Sequence, residues 1–518
     1  MSAVTCFSPV VPLTVPQCTN LASDFLASAE RQGNRLALSV RNVDYSYSEL
    51  ALLVGRSAAW LRLHGVGLGS RVGIVASRSL ETLTGILASC WVGATYVPIN
   101  VGYPGEALAK VVNSIKLDAL IVDRQGLSAL SGHVLDVSAD DILAPGKHTL
   151  PASLRDAPVD VPPDVTAYIE FTSGTTGEPK GVMISTAALS HFLSVMHDRY
   201  QLTPHDRVAG TSDITFDVSF ANMFMAGASL HVLPASQLLT PSKFIRDREL
   251  TIWFSVPSVA RSMRQMNLLP AGVFPRLRYS LFAGEPLPLD SALAWQEAAP
   301  QSLVENLYGP TEATVVCTGE RVGRDPRVTR GRGVIAIGRP LPGTDVAIVD
   351  ADLNFLPPEA VGQIALSGIQ LSQGYYGQPE LTKERFPVID RRKWYLTGDL
   401  GYEDSSGAFH HLGRIDNQVK ISGRRVELEE VEYHLREVCG CGMVAAVAWP
   451  VEYGSAQGLV AFISGTECPP SVVREEMKKR VLRFLVPQEV RVLDALPLNP
   501  SGKIDRKALL GLLRSDSA

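Results

Sequence analysis

The sequence predicts an α/β protein in three parts: a large N-terminal domain with parallel-rich sheets, a small β-barrel-like subdomain, and a small α+β C-terminal domain. Three observations predict it. Apolar β-branched runs alternate with amphipathic helical patterns through most of the chain. Near Gly319 the pattern changes to short strands with close turn signals. From Val431 a helix, two strands and a helix make a compact last unit.

Taken in order, "RVGIVAS" (Arg71–Ser77) reads as a buried strand and "ETLTGILASCWVGA" (Glu81–Ala94) as the helix that follows it. "YVPIN", "LDALIVD", "ASLHVLP" and "TIWFSVP" continue the strands of the parallel sheets. "DVAIVD", "GQIALSG" and "WYLTGDLGYED" supply the β-rich subdomain, about residues 319–412. The polar, glycine-bearing "GRIDNQVKISGRRVE" suits a domain boundary, dividing the chain into 1–414 and 415–518. Beyond it, "VEYHLREV" and "VVREEMKKRVLRFL" read as helices and "MVAAVAWP" and "GLVAFIS" as strands. The acidic run Glu427, Glu429, Glu430 and Glu432 reads as a solvated helix start.

Composition narrows the function. At 518 residues the chain exceeds a single core, and 46% hydrophobic with 19% charged residues describes an ordered globular protein. A net charge of −5 offers no basic footprint for nucleic acid. No apolar run reaches the roughly 18 residues of a membrane span. The N-terminal "MSAVTCFSPVVPLTVPQCTN" has no basic start and is broken by three prolines, unlike a signal peptide. The seven cysteines are odd in number and scattered, and Cys439 and Cys441 lack metal-ligand spacing. Reduced thiols in a cytoplasmic protein with no membrane partner are expected.

The run "FTSGTTGEPKG" (Phe171–Gly181) gathers Ser, Thr and Gly around one lysine. It is not a Walker loop, because Gly181 stands where that loop places a Mg²⁺-binding hydroxyl. Small residues nevertheless allow close backbone approach, and successive N–H groups with hydroxyls can ring an anion. Taken alone, the run fits a phosphate cradle and a surface turn equally.

"FTSGTTGEPKGVMIS" resembles the signature loop of the adenylate-forming superfamily, which contains acyl- and aryl-CoA synthetases, luciferases and the adenylation domains of nonribosomal peptide synthetases. Further matches follow the family's order: "YSYSEL", "GATYVPIN", "FDVSF", "NLYGPTEAT", "GRPLPGTDVAIVD", "YLTGDL", "GRIDNQVKISGRRVELEEVE" and "NPSGKIDRKAL". The resemblance implies attack of a carboxylate on the α-phosphate of ATP, with Mg²⁺, expelling pyrophosphate and leaving an acyl adenylate. Negative charge concentrates in that transition state, so cations and oriented donors carry the catalysis.

By resemblance, Thr172, Ser173, Gly174, Thr175, Thr176, Gly177 and Lys180 hold the β- and γ-phosphates. Tyr308, with Gly309, stacks on adenine, Thr311 contacts the α-phosphate, and Glu312 is the Mg²⁺ ligand, a carboxylate suited to a hard cation. Asp399 accepts from the ribose hydroxyls, and Arg414 is a ribose or phosphate contact. Lys503 reaches carboxylate and α-phosphate oxygens during adenylation. Asp416 matches the hinge about which a mobile C-terminal lid rotates, bringing the thiolation loop around Gly423 to the site.

Asp217 matches members whose substrate carries an α-ammonium group, since a buried unpaired carboxylate is costly. The remaining specificity positions carry over as Val218, Ala221, Ser255, Leu281, Ala283, Leu307, Val315 and Val316. This lining is almost wholly apolar, with Ser255 its only hydroxyl, and implies a neutral aliphatic amino acid of the proline, alanine, valine or leucine type. Val218, Ala283, Val315 and Val316 follow the prolyl pattern in part, while Ala221 and Leu307 depart from it. Gln363, Asn100 and Asn222 replace acids common in the family.

The chain's last residues, "LLRSDSA", follow Lys503 closely with no carrier module. The expectation is therefore a freestanding, ATP-dependent amino acid–carrier protein ligase that loads the phosphopantetheine arm of a separate carrier protein. An acyl- or aryl-CoA ligase and a non-catalytic ATP-binding protein are the alternatives.

Overall fold

A computed structural model describes residues 20–146, 150–153, 156–174, 179–211, 226–440, 443–466, 468–499 and 504–516. Among them the fold is mixed α/β, with two large sheets and a smaller C-terminal unit. One sheet is seven-stranded. Arg71–Val75 lies between Thr95–Ile99 and Ala119–Val122, all parallel, and Thr166–Thr172 joins parallel on the far side of Thr95–Ile99. Lys180–Ser185 then pairs antiparallel with Thr166–Thr172, which brings the two ends of the glycine-threonine run side by side.

The second sheet is nine-stranded. Its strands run parallel from Leu303–Tyr308 through Tyr279–Phe282, Ile252–Ser255, Arg207–Gly210 and Ser229–Val232 to Leu36–Val40, with antiparallel strands at both edges. Both sheets share one apolar core with the helices Tyr47–Leu63, Leu80–Trp91 and Thr186–Tyr200. The start of Tyr47–Leu63 is set locally. Ser46 Oγ accepts from the Glu49 N–H at 3.2 Å and Glu49 Oε2 accepts from the Ser46 N–H at 2.8 Å, a reciprocal capping box.

The β-rich region resolves into two attachments. Thr318–Arg321 pairs with Leu303–Tyr308 and belongs to the nine-stranded sheet. The strands Thr344–Val349, Gly362–Gly368, Tyr395–Glu403 and Phe409–Arg414 make a separate antiparallel four-stranded sheet. In the C-terminal unit, Met443–Ala448 and Leu459–Ser464 pair antiparallel, and Leu428–Cys439, Pro470–Lys478 and Arg506–Ser515 are helical. The pattern "VVREEMKKRVLRFL" is helical only to Lys478, and Arg483–Leu485 forms a 3-10 turn that buries Leu485.

Three of the four acids in the run are not solvated: Glu427, Glu430 and Glu432 are buried, and Glu429 is partly exposed. Glu427 accepts from Gln418 Nε2 at 2.6 Å, and Glu432 accepts from the Ala446 N–H at 2.9 Å and from Arg506 Nη2 at 2.6 Å. Buried carboxylates need such partners, and these arrive from a preceding loop, a neighbouring strand and the last helix, out of reach of the helix's own pattern.

Candidate active site

A cavity of about 920 Å³ opens between the two sheets, the antiparallel sheet and the C-terminal unit. One end of it is built by strand pairing. Asp399 and Arg414 are register partners across an antiparallel ladder, so the guanidinium meets the carboxylate, with Nη1 3.0 Å from Oδ1. Tyr308, at the end of its strand, donates its hydroxyl to Asp399 Oδ2 at 2.6 Å, and His411 Nε2 lies 3.2 Å from Oδ1. Burial pushes the Asp399 carboxyl up, but His411, Arg414 and the Tyr308 hydroxyl outweigh it and hold the group well below the usual carboxylate range.

Gly398 is required here. Its φ is +73°, and a Cβ would stand 2.6 Å from Arg414 Nη2. Gln363, in place of the family's acid, still supplies the acceptor: its Oε1 receives the Gly398 N–H at 2.9 Å. Asn100 likewise keeps an acceptor role, receiving the Gly102 N–H at 2.8 Å.

The chain leaves Tyr308 through Gly309, where a Cβ would lie 2.5 Å from Val316 Cα, into the 3-10 turn Thr311–Ala313. Thr314 and Val315 then adopt φ of +53° and +67°, a costly conformation for β-branched residues. Buried Gln370 holds this bend. Its Nε2 donates to the carbonyls of Ala313, Thr314 and Val316 at 3.2, 3.2 and 2.9 Å, and its backbone carbonyl accepts from Thr314 Oγ1 at 2.7 Å. The bend turns Val315 and Val316 to the cavity, where Ala283 and Ser255 also lie. Leu281 and Leu307 are buried in the core beneath that wall.

Ser255 is committed to the protein: its Oγ accepts from Trp253 Nε1 at 2.9 Å and donates to the Val256 carbonyl at 3.3 Å. Ser258, Arg261 and Ser262, on the helix Pro257–Gln265, also line the cavity and add polar groups to the lining expected from the sequence.

Thr172, Ser173 and Thr311 line the same cavity, with Gly174 buried beside them. Lys180 is buried. Burial first, then the neighbouring Arg425, lowers its ammonium pKa, while Glu427 and Glu312 oppose the shift. Thr175, Thr176, Gly177, Asp217, Val218, Ala221, Asn222 and Lys503 lie outside the described residues.

Glu312 is fully buried, and its Oε1 accepts from the Tyr375 hydroxyl at 2.8 Å. Burial raises its pKa, but Arg425 and Tyr375 outweigh that and keep it anionic. Among the described residues no group of three or more His, Cys, Asp and Glu side chains could hold a metal ion. A buried carboxylate near the glycine-threonine run nevertheless fits Mg²⁺, which takes one or two carboxylates and completes its shell with water and substrate oxygens.

Asp416, at the expected hinge, is gripped by Arg414 Nε at 2.9 Å and Nη2 at 2.7 Å. Gly423 faces the cavity, and its N–H donates to Glu285 Oε1 at 2.7 Å. Sequence reasoning did not single out Glu285, Tyr375, His411 or Arg425. Each acquires its place through a partner distant in the chain. Among the described residues no helix is long and apolar enough to cross a membrane.

Residues 25–376 match the AMP-binding enzyme family. Tyrocidine synthase 2 of Brevibacillus parabrevis is 33% identical over 490 residues, covering 93% of this chain and 13% of its own length. Enterobactin synthase component F of Escherichia coli O157:H7 is 33% identical over 519 residues, covering 95% of this chain and 39% of its own. The chain thus spans less than half of each of these relatives. The crystal structure of the Vibrio cholerae adenylation domain AlmE, in complex with glycyl-adenosine-5'-phosphate, superposes with a TM-score of 0.86 at 33% identity, covering 96% of this chain and 98% of that one. With this match over most of both chains and a family match over more than half the sequence, the chain belongs to the AMP-binding enzyme family.

Proposed function

We propose that this protein activates a neutral aliphatic amino acid with ATP and then transfers it, as a thioester, to the phosphopantetheine thiol of a separate carrier protein. One observation carries the reading. A wall of Ala283, Val315 and Val316 is continuous, within one cavity, with Thr311, Tyr308 and Asp399. An aliphatic side chain and a nucleotide would thus lie end to end, with the reacting carboxylate between them. AlmE, bound to an aminoacyl adenylate and sharing the fold, supports the amino-acid class.

In the first half-reaction the substrate carboxylate attacks the α-phosphorus, and the bond to pyrophosphate breaks. Asp217 pairs with the α-ammonium and Lys503 with the reacting oxygens. Thr311 meets the α-phosphate, and Thr172, Ser173, Gly174, Thr175, Thr176, Gly177 and Lys180 hold the departing phosphates. Asp399 receives the ribose hydroxyls, and Tyr308 and Gly309 border the adenine. Glu312 would hold Mg²⁺, which offsets phosphate charge when bound. In the second half-reaction the thiol sulfur attacks the acyl carbon and AMP leaves. The C-terminal unit, turning at Asp416, presents Gly423 in place of Lys503.

Radiolabelled pyrophosphate–ATP exchange against an amino-acid panel tests the reading. Exchange is expected with proline, alanine, valine or leucine and with no charged amino acid, and it is expected to vanish in Lys503→Ala and Asp217→Ala. Exchange only with acids lacking an amine would turn the assignment to a CoA ligase. Exchange without acylation of any phosphopantetheinylated carrier would overturn the second step.

A further inference from the structure

Glu312 is covered by a residue from the other side of the boundary. Arg425, on the hairpin strand Arg424–Val426, places Nη1 3.1 Å from Glu312 Oε1 and 3.3 Å from Oε2, across 113 residues of sequence. The backbone of the same residue reaches the phosphate-loop run, its carbonyl accepting from Ser173 Oγ at 2.9 Å. One residue of the C-terminal segment thus occupies the metal carboxylate with its cation and the phosphate hydroxyl with its backbone.

The arrangement is latched from a second point. Glu285 is buried; its Oε1 accepts from the Gly423 N–H at 2.7 Å and from Ser455 Oγ at 2.9 Å. Its Oε2 is already engaged by the Ser258 N–H at 2.9 Å, at the start of the cavity-wall helix Pro257–Gln265. Glu285 therefore docks the C-terminal hairpin against the large domain and sets Arg425 over Glu312.

A divalent cation on Glu312 would sit about 2.1 Å from a carboxylate oxygen. The guanidinium already stands against both oxygens, and two cations sharing one buried carboxylate repel strongly. We propose that Arg425 is a cation placeholder, so that metal–pyrophosphate at Glu312 and docking of the C-terminal unit through Arg425 exclude each other. Arg425 acts as a positioning residue, and the inference rests on reading Glu312 as the metal residue.

Exclusion is reciprocal: what loosens docking must tighten metal binding, and metal must loosen docking. The probe is Mn²⁺ with inorganic pyrophosphate, its binding to the full-length chain measured by electron paramagnetic resonance. Docking is followed by energy transfer between dyes on the large domain and the C-terminal unit. Ser455→Ala removes one latch bond without touching Glu312 or any charge, and should tighten Mn²⁺–pyrophosphate binding several-fold. Arg425→Ala should tighten it about tenfold or more, and in the wild type saturating Mn²⁺–pyrophosphate should lower energy transfer. Unchanged affinity in Ser455→Ala together with unchanged energy transfer overturns the interlock, even if Arg425→Ala fails to fold. Glu312→Gln separates the two readings. Lost binding there with no Ser455 effect defeats only the interlock, and wild-type binding there defeats the metal assignment and the interlock with it.

Discussion

Arg414 holds Asp399 with Nη1 at 3.0 Å while its Nε and Nη2 grip Asp416, so the proposed ribose acceptor and the proposed hinge share one guanidinium. A planar fork can serve two carboxylates at once, and an ammonium cannot reproduce that geometry. Arg414→Lys should therefore raise the KM for ATP about tenfold to a hundredfold, the size of a lost charged hydrogen bond. Exchange kinetics at varied ATP check this, and an unchanged ATP KM would separate Asp399 from nucleotide binding.

Gln370 is the brace of the strained bend at Thr314 and Val315. Gln370→Leu keeps the volume but strands buried carbonyls, costing roughly 2–3 kcal/mol of stability. Because the bend presents Val315 and Val316 to the cavity, the KM for the amino acid should rise more than that for ATP. Denaturant unfolding and two-substrate kinetics measure the two effects, and equal changes in both KM values would contradict the pocket role.

Glu305 is fully buried, held by the Arg199 guanidinium and by the Tyr200 hydroxyl at 2.8 Å. Arg199→Met leaves that charge without its counter-ion and should cost about 3–5 kcal/mol. Adding Glu305→Leu should recover much of the loss, because the desolvation penalty goes with the charge. A double-mutant cycle by thermal unfolding gives the coupling, and additive losses would show that the pair is not the cause.

Asp24, in the first turn of Leu21–Gln32, has a buried Oδ2 without a hydrogen-bond partner. Burial pushes its pKa up to about 6, against the opposing pull of Arg31 and His197. The folded state therefore binds this proton more tightly than the unfolded chain. The stabilisation belongs to low pH and is lost as pH rises from about 4 to about 6. Asp24→Asn should stabilise the protein at pH 7.5 by about 1–2 kcal/mol, a shift-derived value reduced for the group's partial exposure. The gain should disappear below about pH 4. Urea unfolding at both pH values tests the sign.

Much of the fold was legible because its signals are local. The apolar runs "RVGIVAS" and "TIWFSVP" become the strands Arg71–Val75 and Ile252–Ser255 through side-chain pattern and length alone. The site was legible as separate motifs, and strand register explains why some converge: pairing within one ladder sets Arg414 opposite Asp399. What stayed hidden depends on what covers a residue. Glu427 and Glu432 carry the pattern of a solvated helix start and are nonetheless buried, because Gln418 bonds the first and Arg506, from the last helix, the second.

Composition and order of residues set the chemical inventory: a run of Ser, Thr and Gly around Lys180, an acid in each of the motifs around Glu312 and Asp399, and elements whose periodicity needs no long-range partner. Which charges neutralise one another was settled by packing of distant segments. Arg425 could as well have read as a solvated hairpin charge, and Glu312 as an open carboxylate. Burial makes an unpaired charge costly, so the pair forms where docking brings the two groups together across 113 residues. No local pattern encodes that distance.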